Sequence, residues 1–213
     1  MTKMTRTEII NYLIAKNNYT SYLEIGLDNG INFMNVKCQN KESVDPFIKD
    51  DHKNYDLTYK DDIPENIKKL LTYRMTSDEF FKICIKKYDI IFIDGLHTQE
   101  QVGRDIINSL KVLNENGMIV VHDCLPNSEE AQKVPRVQGE WNGDVWKAVY
   151  ELIRQGLDIE VVSDDYGCGI VKYTDDSNLL KYPKKSEATW SDFEQNRKTM
   201  INVISVEQFL ETY

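Results

Sequence analysis

The sequence is poor in basic residues. Its 213 residues include 26 lysines and arginines against 35 aspartates and glutamates, so the formal net charge is −9 at pH 7. No run of basic residues compensates for this deficit locally. Because nucleic-acid binding depends on Lys and Arg displacing counterions from phosphates, the composition argues against a nucleic-acid partner. A basic helix that lies on a membrane surface is equally unsupported.

Long apolar runs and paired cysteines are also missing. No segment approaches the roughly 20 apolar residues that cross a bilayer, and the first residues lack the apolar core and cleavage site of a secretory signal. We therefore predict a cytoplasmic protein without a membrane partner. The cysteines Cys38, Cys84, Cys124 and Cys168 form no C-x-x-C pair. Reduced thiols are expected instead of a zinc site or a disulfide framework.

The sequence does contain a repeating pattern of short apolar runs followed by longer amphipathic stretches. Apolar residues make up 41% of the chain, which is enough for one sizeable core. The pattern is typical of βα units and a parallel sheet. The clearest strands are predicted at Lys87–Asp94 and Met118–Asp123, and the helix between them is predicted over Thr98–Leu113 with a stop at Asn114–Gly117. Tyr22–Ile25 is the candidate first strand.

The remaining segments give weaker signals. We predict a short strand at Glu42–Asp45, a helix that begins with Ser77 as its cap, and a loop or exposed helix over residues 50–62. The other predicted elements are a helix within residues 1–20, a helix over 144–155, and strands at Ile159–Val162 and Gly169–Tyr173. A polar tail then leads to the segment Trp190–Ile204, which receives no secondary-structure prediction. We expect one domain over residues 1–175, and an extension over 176–213 that docks on the sheet or on a second subunit.

A glycine-containing turn follows the first predicted strand. Glycines at a strand-to-helix turn let the backbone approach a ligand closely and aim free N–H groups at it. In the segment Glu24–Gly30 the spacing differs from G-x-G-x-x-G, and the carboxylate of Glu24 would repel a pyrophosphate. The turn therefore disfavours a dinucleotide. The alternative is a glycine-containing turn that binds no ligand, because such a turn has the same residue pattern.

Two further features suit an adenosine. Asp45 ends the second predicted strand, where a carboxylate can hold both ribose hydroxyls. The segment Thr76–Asp78 lies where the following strand should meet its helix, within reach of an adenine edge. Together with the acidic turn, these residues predict an adenosine that carries a charged tail without phosphate.

Polar residues follow both of the clearest strands. Asp94 and His97 come after the first strand, and His122 and Asp123 end the next one. Because the carboxyl ends of neighbouring parallel strands line the same crevice, we expect these four side chains to lie close together. Two carboxylates offer the oxygen ligands of a divalent cation, and His97 is placed to remove a proton. The alternatives are helix capping by Asp94 or His97 and a buried, hydrogen-bonded His122.

These residues resemble those of the class I methyltransferases that depend on S-adenosylmethionine (SAM), over roughly residues 20–173. Glu24, Gly26 and Gly30 match the acidic and glycine loop of that family, although Asp28 stands where many members have a middle glycine. Asp45 matches the ribose-binding acid. The resemblance implies an α/β fold: a doubly wound, Rossmann-like, mostly parallel seven-stranded sheet with helices on both faces. The cofactor site that it implies consists of Glu24, Gly26, Asp28, Gly30, Asp45, Thr76, Ser77 and Asp94.

The Asp-Gly-x-His element is similar to that of metal-dependent O-methyltransferases of the macrolide-sugar type. By this resemblance His97 is the catalytic base, and Asp94 and Asp123 are metal ligands. His122 stands where some relatives have a glutamate ligand, so it joins the implied metal site. Mg²⁺ is the expected ion. Because His122 offers a nitrogen ligand instead of an oxygen, a softer metal or no metal at all stays an open alternative.

A polar segment over residues 124–143 has the features of a lid over the acceptor. Lys133 and Arg136 can meet an anionic group on that acceptor, or they belong to a solvated loop. Trp141 can stack on a sugar, whereas Trp146 lies at helical spacing with apolar residues and is expected in the core.

The expected function is SAM-dependent transfer of a methyl group to a hydroxyl of a sugar or a related small molecule. Two alternatives stay open. One is a SAM-binding partner protein without catalytic activity. The other is a nicotinamide-dependent oxidoreductase, whose Tyr-x-x-x-Lys spacing Tyr12 and Lys16 match, although they precede the first strand. A homo-oligomer fits each of these functions.

Overall fold

The computed structural model describes residues 3–47, 64–137, 139–174 and 181–213, so the predicted loop or helix over 50–62 lies outside the described residues. The described strands are β1 Ser21–Ile25, β2 Asn40–Val44, β3 Tyr88–Ile93, β4 Leu113–Val121, β5 Ile159–Val162, β6 Cys168–Lys172 and β7 Val203–Ile204. The described helices are α1 Arg6–Asn17, α2 Ile31–Asn35, α3 Glu65–Lys68, α4 Ser77–Ile83, α5 Gln99–Lys111, α6 Val145–Arg154, α7 Trp190–Met200 and α8 Val206–Thr212. None of these helices is both long and apolar enough to cross a membrane.

The seven strands form one sheet in the order β2-β1-β3-β4-β6-β5-β7. Strands β2, β1, β3 and β4 are parallel, β6 is antiparallel to both of its neighbours, and β7 pairs in parallel with β5. The predicted α/β architecture with a mostly parallel seven-stranded sheet is confirmed. Because the strand order reverses at β1, a crevice opens at the carboxyl ends of the central strands.

The central strands are buried on both faces. In β3, Ile91 and Ile93 belong to one cluster of buried side chains, and Ile90 and Phe92 belong to the other. Helices α5 and α6 cover the first face, while α1 and α8 cover the second. A nearly continuous apolar run is stable here because neither face of the strand meets water. This burial is the physical basis of the strongest strand signal in the sequence.

The predicted cap of α4 is wrong by one residue. The N-cap is Thr76, whose hydroxyl accepts a hydrogen bond from the Glu79 amide, and the Glu79 carboxylate accepts one from the Thr76 amide. This reciprocal capping box satisfies two free N–H groups, whereas Ser77 as a cap would satisfy one. Ser77 is therefore the first residue of the helix.

Helix α5 is shorter than predicted, and its stop is misplaced. The helix ends at Lys111, and the predicted stop at Asn114–Gly117 lies within β4. Leu113 already pairs with Tyr88 of β3, and a register shift further along the pair absorbs the extra residues. Tertiary pairing with β3 thus overrides the local turn signal of the asparagines and glycine.

The C-terminal segment completes one edge of the sheet and one helical layer. The segment Trp190–Ile204, which has no secondary-structure prediction, forms α7 up to Met200 and then turns into β7, which pairs with β5. Helix α8 packs Phe209 against Tyr12 of α1, with ring centroids 5.3 Å apart. The two-residue strand β7 and the helix α8 are absent from the sequence prediction, since both are too short to show a periodic pattern.

Candidate active site

A cleft of about 640 Å³ lies at the carboxyl ends of β2, β1, β3 and β4. This volume suits a small-molecule ligand. The predicted site residues that line it are Gly26, Asp28, Asp45, Thr76, Ser77, Asp94, His97, His122 and Asp123. Two other predicted residues, Glu24 and Gly30, are not among the described lining residues.

Gly26 brings the loop between β1 and α2 into direct contact with the end of β3. Its φ angle is +90°, a conformation that favours glycine. A Cβ atom at this position would lie 2.1 Å from the carbonyl oxygen of Asp94. The Gly26 amide also donates to the carbonyl of Val44 at 2.9 Å. The loop is therefore held between the ends of β2 and β3.

Asp45 ties this loop to the end of β2. One carboxylate oxygen accepts from the amides of Leu27 and Asp28, at 2.7 Å and 3.2 Å, and the other accepts from the Phe47 amide at 2.6 Å. Burial raises the pKa of Asp45, although these N–H groups favour its ionised form. Since a carboxylate can accept about four hydrogen bonds, the Asp45 side chain retains acceptor capacity for a ligand.

Glu24 and Gly30 support the loop from behind. Glu24 is 1% exposed, and its carboxylate accepts hydrogen bonds from the Tyr22 hydroxyl and, at 2.9 Å, from the Asn32 amide. Burial raises the pKa of Glu24 to about 8. A Cβ atom at Gly30 would lie 2.6 Å from Leu70 Cδ1. Contact of either residue with a cofactor stays a prediction.

The buried acid makes stability depend on pH. Folding raises the pKa of Glu24 from 4.5 to about 8, so stability falls as the pH rises between these values. Glu24→Gln keeps an oxygen that accepts both hydrogen bonds but cannot ionise. We expect its free energy of unfolding to exceed that of the wild type by about 3 kcal/mol at pH 9, and by much less at pH 5. Urea unfolding at pH 5, 7 and 9 measures this difference.

Glu42→Gln is the matched control for this measurement. Burial raises the pKa of Glu42, but hydrogen bonds from Lys86 and Tyr88 offset this effect and the net pKa is lowered. The Glu42→Gln protein should therefore be no more stable than the wild type at pH 9. A Glu24→Gln difference that stays constant from pH 5 to pH 9 would contradict a protonated Glu24 in the folded protein.

Thr76 and Ser77 border the cleft where α4 meets α5. The Thr76 hydroxyl is engaged in the capping box with Glu79. Ser77 Oγ accepts from the side-chain amide of Gln101 at 3.1 Å, and the same amide donates to Asp105 at 3.0 Å. Gln101 and Asp105 also line the cleft, and the sequence interpretation missed both. Their only signal is polarity within the helical pattern of α5, which ordinarily indicates a solvent face.

The acids and imidazoles converge beside the ends of β3 and β4. His97 lies between two carboxylates, with Nε2 3.3 Å from Asp94 Oδ1 and Nδ1 3.2 Å from Asp123 Oδ2. His122 Nδ1 lies 3.3 Å from Asp94 Oδ1 and 3.2 Å from Asp123 Oδ1. The four side chains lie together, as expected for residues at the ends of adjacent parallel strands.

The charges of this cluster shift the pKa values of its members. Burial raises the pKa of Asp94, but the two imidazoles more than offset this and hold it well below its usual value. Burial lowers the pKa of His97, but its hydrogen bond to Asp94 and the charges of Asp123 and Asp94 produce a net increase. The pKa of His122 is likewise raised well above its usual value, with Asp94 as the main cause opposing burial. The carboxylates therefore make both imidazoles strong proton acceptors.

Two charged residues that the sequence interpretation missed complete the cluster. Arg6, the first residue of α1, contacts Asp94 Oδ2 at 3.0 Å. Its guanidinium also donates to both carboxylate oxygens of Asp165, at 3.0 Å and 3.1 Å. The backbone carbonyl of Asp165 lies 2.8 Å from His122 Nε2. These partners are distant in sequence, so no local motif indicates them.

The donor set of the cluster fits a divalent cation. Asp94, His97 and Asp123 each offer one ligand atom, and these atoms lie within 4.8 Å of one another. Because the Asp165 carbonyl can only accept, His122 Nε2 carries a hydrogen. The other nitrogen, Nδ1, is buried and makes no hydrogen bond among the described residues, although two carboxylates lie beside it. A metal ion or a proton at this position would balance the carboxylates.

Trp141 covers His97 from the segment between β4 and α6. Its ring stacks on the imidazole with centroids 5.1 Å apart and 27° between the planes, and its carbonyl lies 3.1 Å from His97 Nδ1. Arg136 lies over the same indole, 5.8 Å from the ring centroid. Trp146 is fully buried against Phe193, as expected for a core residue. The predicted lid segment therefore contributes an aromatic side chain that orients His97.

Comparison with known proteins identifies the domain that carries this cleft. A protein-family model described as a methyltransferase domain matches residues 23–124. This chain carries a methyltransferase domain. The match begins within β1 and ends directly after His122 and Asp123, so it contains the predicted acids and imidazoles. The predicted enzyme class, a SAM-dependent methyltransferase, is confirmed. Among curated protein sequences, none matches the chain.

Solved structures of other methyltransferases share the fold at low sequence identity. A Staphylococcus aureus protein described as a caffeoyl-CoA O-methyltransferase is 16% identical, with a TM-score of 0.54 over 82% of this chain and 85% of that chain. The Podospora anserina methyltransferase with bound S-adenosylhomocysteine (SAH) is 14% identical, with a TM-score of 0.53 over 82% of this chain and 80% of that chain. The O-methyltransferase TomG from Streptomyces achromogenes, in complex with SAM, is 11% identical, with a TM-score of 0.51 over 79% of each chain.

Tyr12 and Lys16 lie outside the cleft of this methyltransferase. The Tyr12 hydroxyl donates to the Leu210 carbonyl at 3.1 Å, and its ring packs on Phe209. The side chain of Lys16 is exposed. Since neither residue is among the described cleft-lining residues, the motif that suggested a nicotinamide-dependent oxidoreductase serves instead to pack α1 against α8.

Proposed function

We propose that this methyltransferase transfers the methyl group of SAM to a hydroxyl oxygen of a small-molecule acceptor. The observation that carries the proposal is His97, which is held between Asp94 and Asp123 in the same cleft as the glycine loop. O-Methylation benefits from a base beside the acceptor oxygen. Two structures with the same fold are named O-methyltransferases, which supports oxygen as the acceptor atom.

The cofactor would lie across the ends of β2, β1 and β3. We assign the ribose to the remaining acceptor capacity of Asp45, and the loop residues Gly26 and Asp28 border the nucleoside. Asp94 lines the cleft beside the loop, since its backbone carbonyl lies next to Gly26. It therefore suits the ammonium of the methionine tail. When bound, the cofactor supplies an electrophilic methyl group on a positively charged sulfur.

His97 accepts the hydroxyl proton of the acceptor as the new bond forms. The acceptor oxygen bonds to the methyl carbon while the carbon–sulfur bond breaks. The electron pair of the broken bond stays on sulfur, and the product is S-adenosylhomocysteine (SAH). The proton passes to a ring nitrogen of His97, and Asp94 and Asp123 stabilise the resulting imidazolium. The rest of the rate enhancement comes from holding the two reactants in line.

Asp94, His122 and Asp123 are the proposed ligands of a divalent cation. His97 also reaches both carboxylates, but we assign it to the base. When bound, such an ion would lower the pKa of the acceptor hydroxyl. We expect Mn²⁺ to bind the wild-type protein, and Asp123→Asn to weaken that binding by at least about tenfold. Asp158→Asn is the control, because this carboxylate is mostly exposed and pairs with Lys172 away from the cleft. Electron paramagnetic resonance of free Mn²⁺ measures both affinities without an assay of activity.

The metal proposal has a separate negative outcome. It would be wrong if millimolar Mn²⁺ showed no binding and EDTA left the rate of methyl transfer unchanged. Base catalysis by His97 would remain in that case, because the carboxylates orient the imidazole without an ion.

The acceptor is proposed to be a sugar or another hydroxylated ring compound. The part of the cleft next to His97 is lined by the aromatic residues Trp141 and Tyr166 and by the charged residues Arg136 and Glu140. Aromatic faces pack on the apolar faces of ring compounds, while charged groups bind their hydroxyls or anionic substituents. This mixture suits a polar ring better than an extended apolar chain.

Calorimetry with SAM, SAH and NADH tests the cofactor, and transfer of a tritiated methyl group tests the reaction. We expect SAH to bind and NADH not to bind. A panel of methyl glycosides, catechols and hydroxycinnamates then provides hydroxyl acceptors. Failure of SAM and SAH to bind would overturn the proposed function. SAH binding without methyl transfer to any hydroxyl would favour the non-catalytic SAM-binding partner protein.

A further inference from the structure

Asp105 is a buried acid with one carboxylate oxygen that lacks a hydrogen-bond partner among the described residues. It lies on α5 and is 1% exposed. Oδ1 accepts a hydrogen bond from the side-chain amide of Gln101 at 3.0 Å. Oδ2 is buried and has no hydrogen-bond partner among the described residues. A buried acceptor without a donor costs free energy, so a donor from outside the chain would stabilise it.

Asp105 is buried among both polar and apolar side chains. Its neighbours along α5, Val102 and Ile106, are buried in the core. Burial raises the pKa of Asp105 to about 7, although Ser77 and Gln101 favour its ionised form. Burying an acid costs free energy unless a partner compensates it, and Gln101 provides a partner for only one of the two oxygens. Asp105 does line the cleft, which provides a functional reason for its presence.

The position of Asp105 corresponds to the nucleobase side of the proposed cofactor. Ser77 and Gln101 connect it to the start of α4, on the side of the cleft away from the end of β4. The transferred methyl group belongs beside His97, and the ribose belongs beside Asp45. The base is attached to the ribose on the side opposite the methionine tail, so it points toward α4 and α5.

We propose that Asp105 recognises the adenine base of SAM by accepting a hydrogen bond from its exocyclic amino group. Recognition of adenine by this residue presupposes the proposed use of SAM. The amino group is a hydrogen-bond donor, whereas a 6-oxo group at the same position is an acceptor. Oδ2 of Asp105 then distinguishes the two bases, because an acceptor facing an acceptor leaves both unpaired.

Calorimetry with SAH and S-inosylhomocysteine tests this recognition, since the two ligands differ only at one edge of the base, where the inosine analogue carries a 6-oxo group and a hydrogen on N1. The wild type should bind SAH at least about tenfold more tightly than the inosine analogue. Asp105→Ala should reduce this ratio to below about threefold. Asp158→Asn is again the control, because this carboxylate is mostly exposed and pairs with Lys172 away from the cleft. It should keep the ratio of the wild type.

Asp105→Asn provides a second variant of nearly unchanged shape. Gln101 donates to Oδ1, so it holds the amide oxygen at that position and places the amide nitrogen at the position of Oδ2. A donor then replaces the acceptor, and the ratio should fall below about threefold or reverse. Thermal melting of each variant confirms that it is folded.

The outcomes separate this inference from the proposed function. If the wild type binds neither ligand, the use of SAM is wrong. If the wild type binds SAH and a folded Asp105→Ala or Asp105→Asn protein keeps the tenfold preference, adenine is recognised by another group and the inference is overturned.

Discussion

Replacing His97 with alanine is expected to slow methyl transfer by about a hundredfold to ten-thousandfold, the range that a general base contributes. The imidazole lies 3.3 Å from Asp94 and 3.2 Å from Asp123, which keep it oriented within the cleft. Alanine would leave the acceptor hydroxyl without a proton acceptor, while Asp45 and the glycine loop would stay in place. Transfer of a tritiated methyl group to the acceptor found in the panel measures the rate.

The His97→Ala substitution should lower kcat and leave cofactor binding unchanged. We expect the affinity of His97→Ala for SAH to stay within about threefold of the wild type. The rate of the variant should rise with pH, because hydroxide then replaces the missing base. Added imidazole should restore part of the rate, since alanine leaves room for it beside Trp141.

Mn²⁺ binding distinguishes a base from a metal ligand. His97 and His122 both reach Asp94 and Asp123. If His97 is the base, His97→Ala keeps the Mn²⁺ affinity of the wild type and His122→Ala loses it. Unchanged turnover by His97→Ala, or a loss of Mn²⁺ binding in that variant alone, would contradict the assignment of the base.

Replacing Gly26 with alanine is expected to abolish measurable binding of SAH. The residue has a φ angle of +90°, and the new Cβ atom would lie 2.1 Å from the backbone carbonyl oxygen of Asp94. Backbone atoms cannot rotate away as a flexible side chain can, so the loop and the end of β3 must separate. A displacement of about 1 Å at a binding site can cost a hundredfold. We also expect a loss of about 3 kcal/mol in the free energy of unfolding.

Gly156→Ala is the control that introduces the same backbone strain as Gly26→Ala without a steric clash of the new Cβ atom. Gly156 has a φ angle of +93°, but a Cβ atom at this position would have no described atom within 4 Å beyond its chain neighbours. It should lose only about 1 kcal/mol of stability, the cost of an L-residue in this conformation, and it should bind SAH like the wild type. Calorimetry and urea unfolding of both variants measure these effects. Equal SAH affinity for Gly26→Ala and the wild type would show that the loop does not form part of the cofactor site.

The main strands and the polar residues at their ends could be predicted because their signals are local. The apolar run before Asp94 and the run before His122 each require burial on both faces of a strand. A parallel arrangement then brings the two strand ends to the same edge of the sheet. Errors appear where a distant partner competes with a local signal, as where the pairing of Leu113 with Tyr88 extends β4 into a predicted turn.

The direction of a side chain and its distant partners could not be predicted in the same way. Glu24 matches an acidic loop in sequence, yet its side chain is buried with Tyr22 and Asn32 behind that loop. Arg6 lies 88 positions before Asp94 and 159 before Asp165, and no spacing rule connects them.

The amino-acid sequence alone determined the layered α/β class, the glycine turn after β1 and the acids and imidazoles after β3 and β4, because each depends on a few adjacent residues. Only the tertiary structure decided which of these groups reach the cleft, that Arg6 and Asp165 complete the cluster, and that Asp105 lines the cleft from α5. These depend on how separate helices and strands pack, and packing is a property of the whole chain.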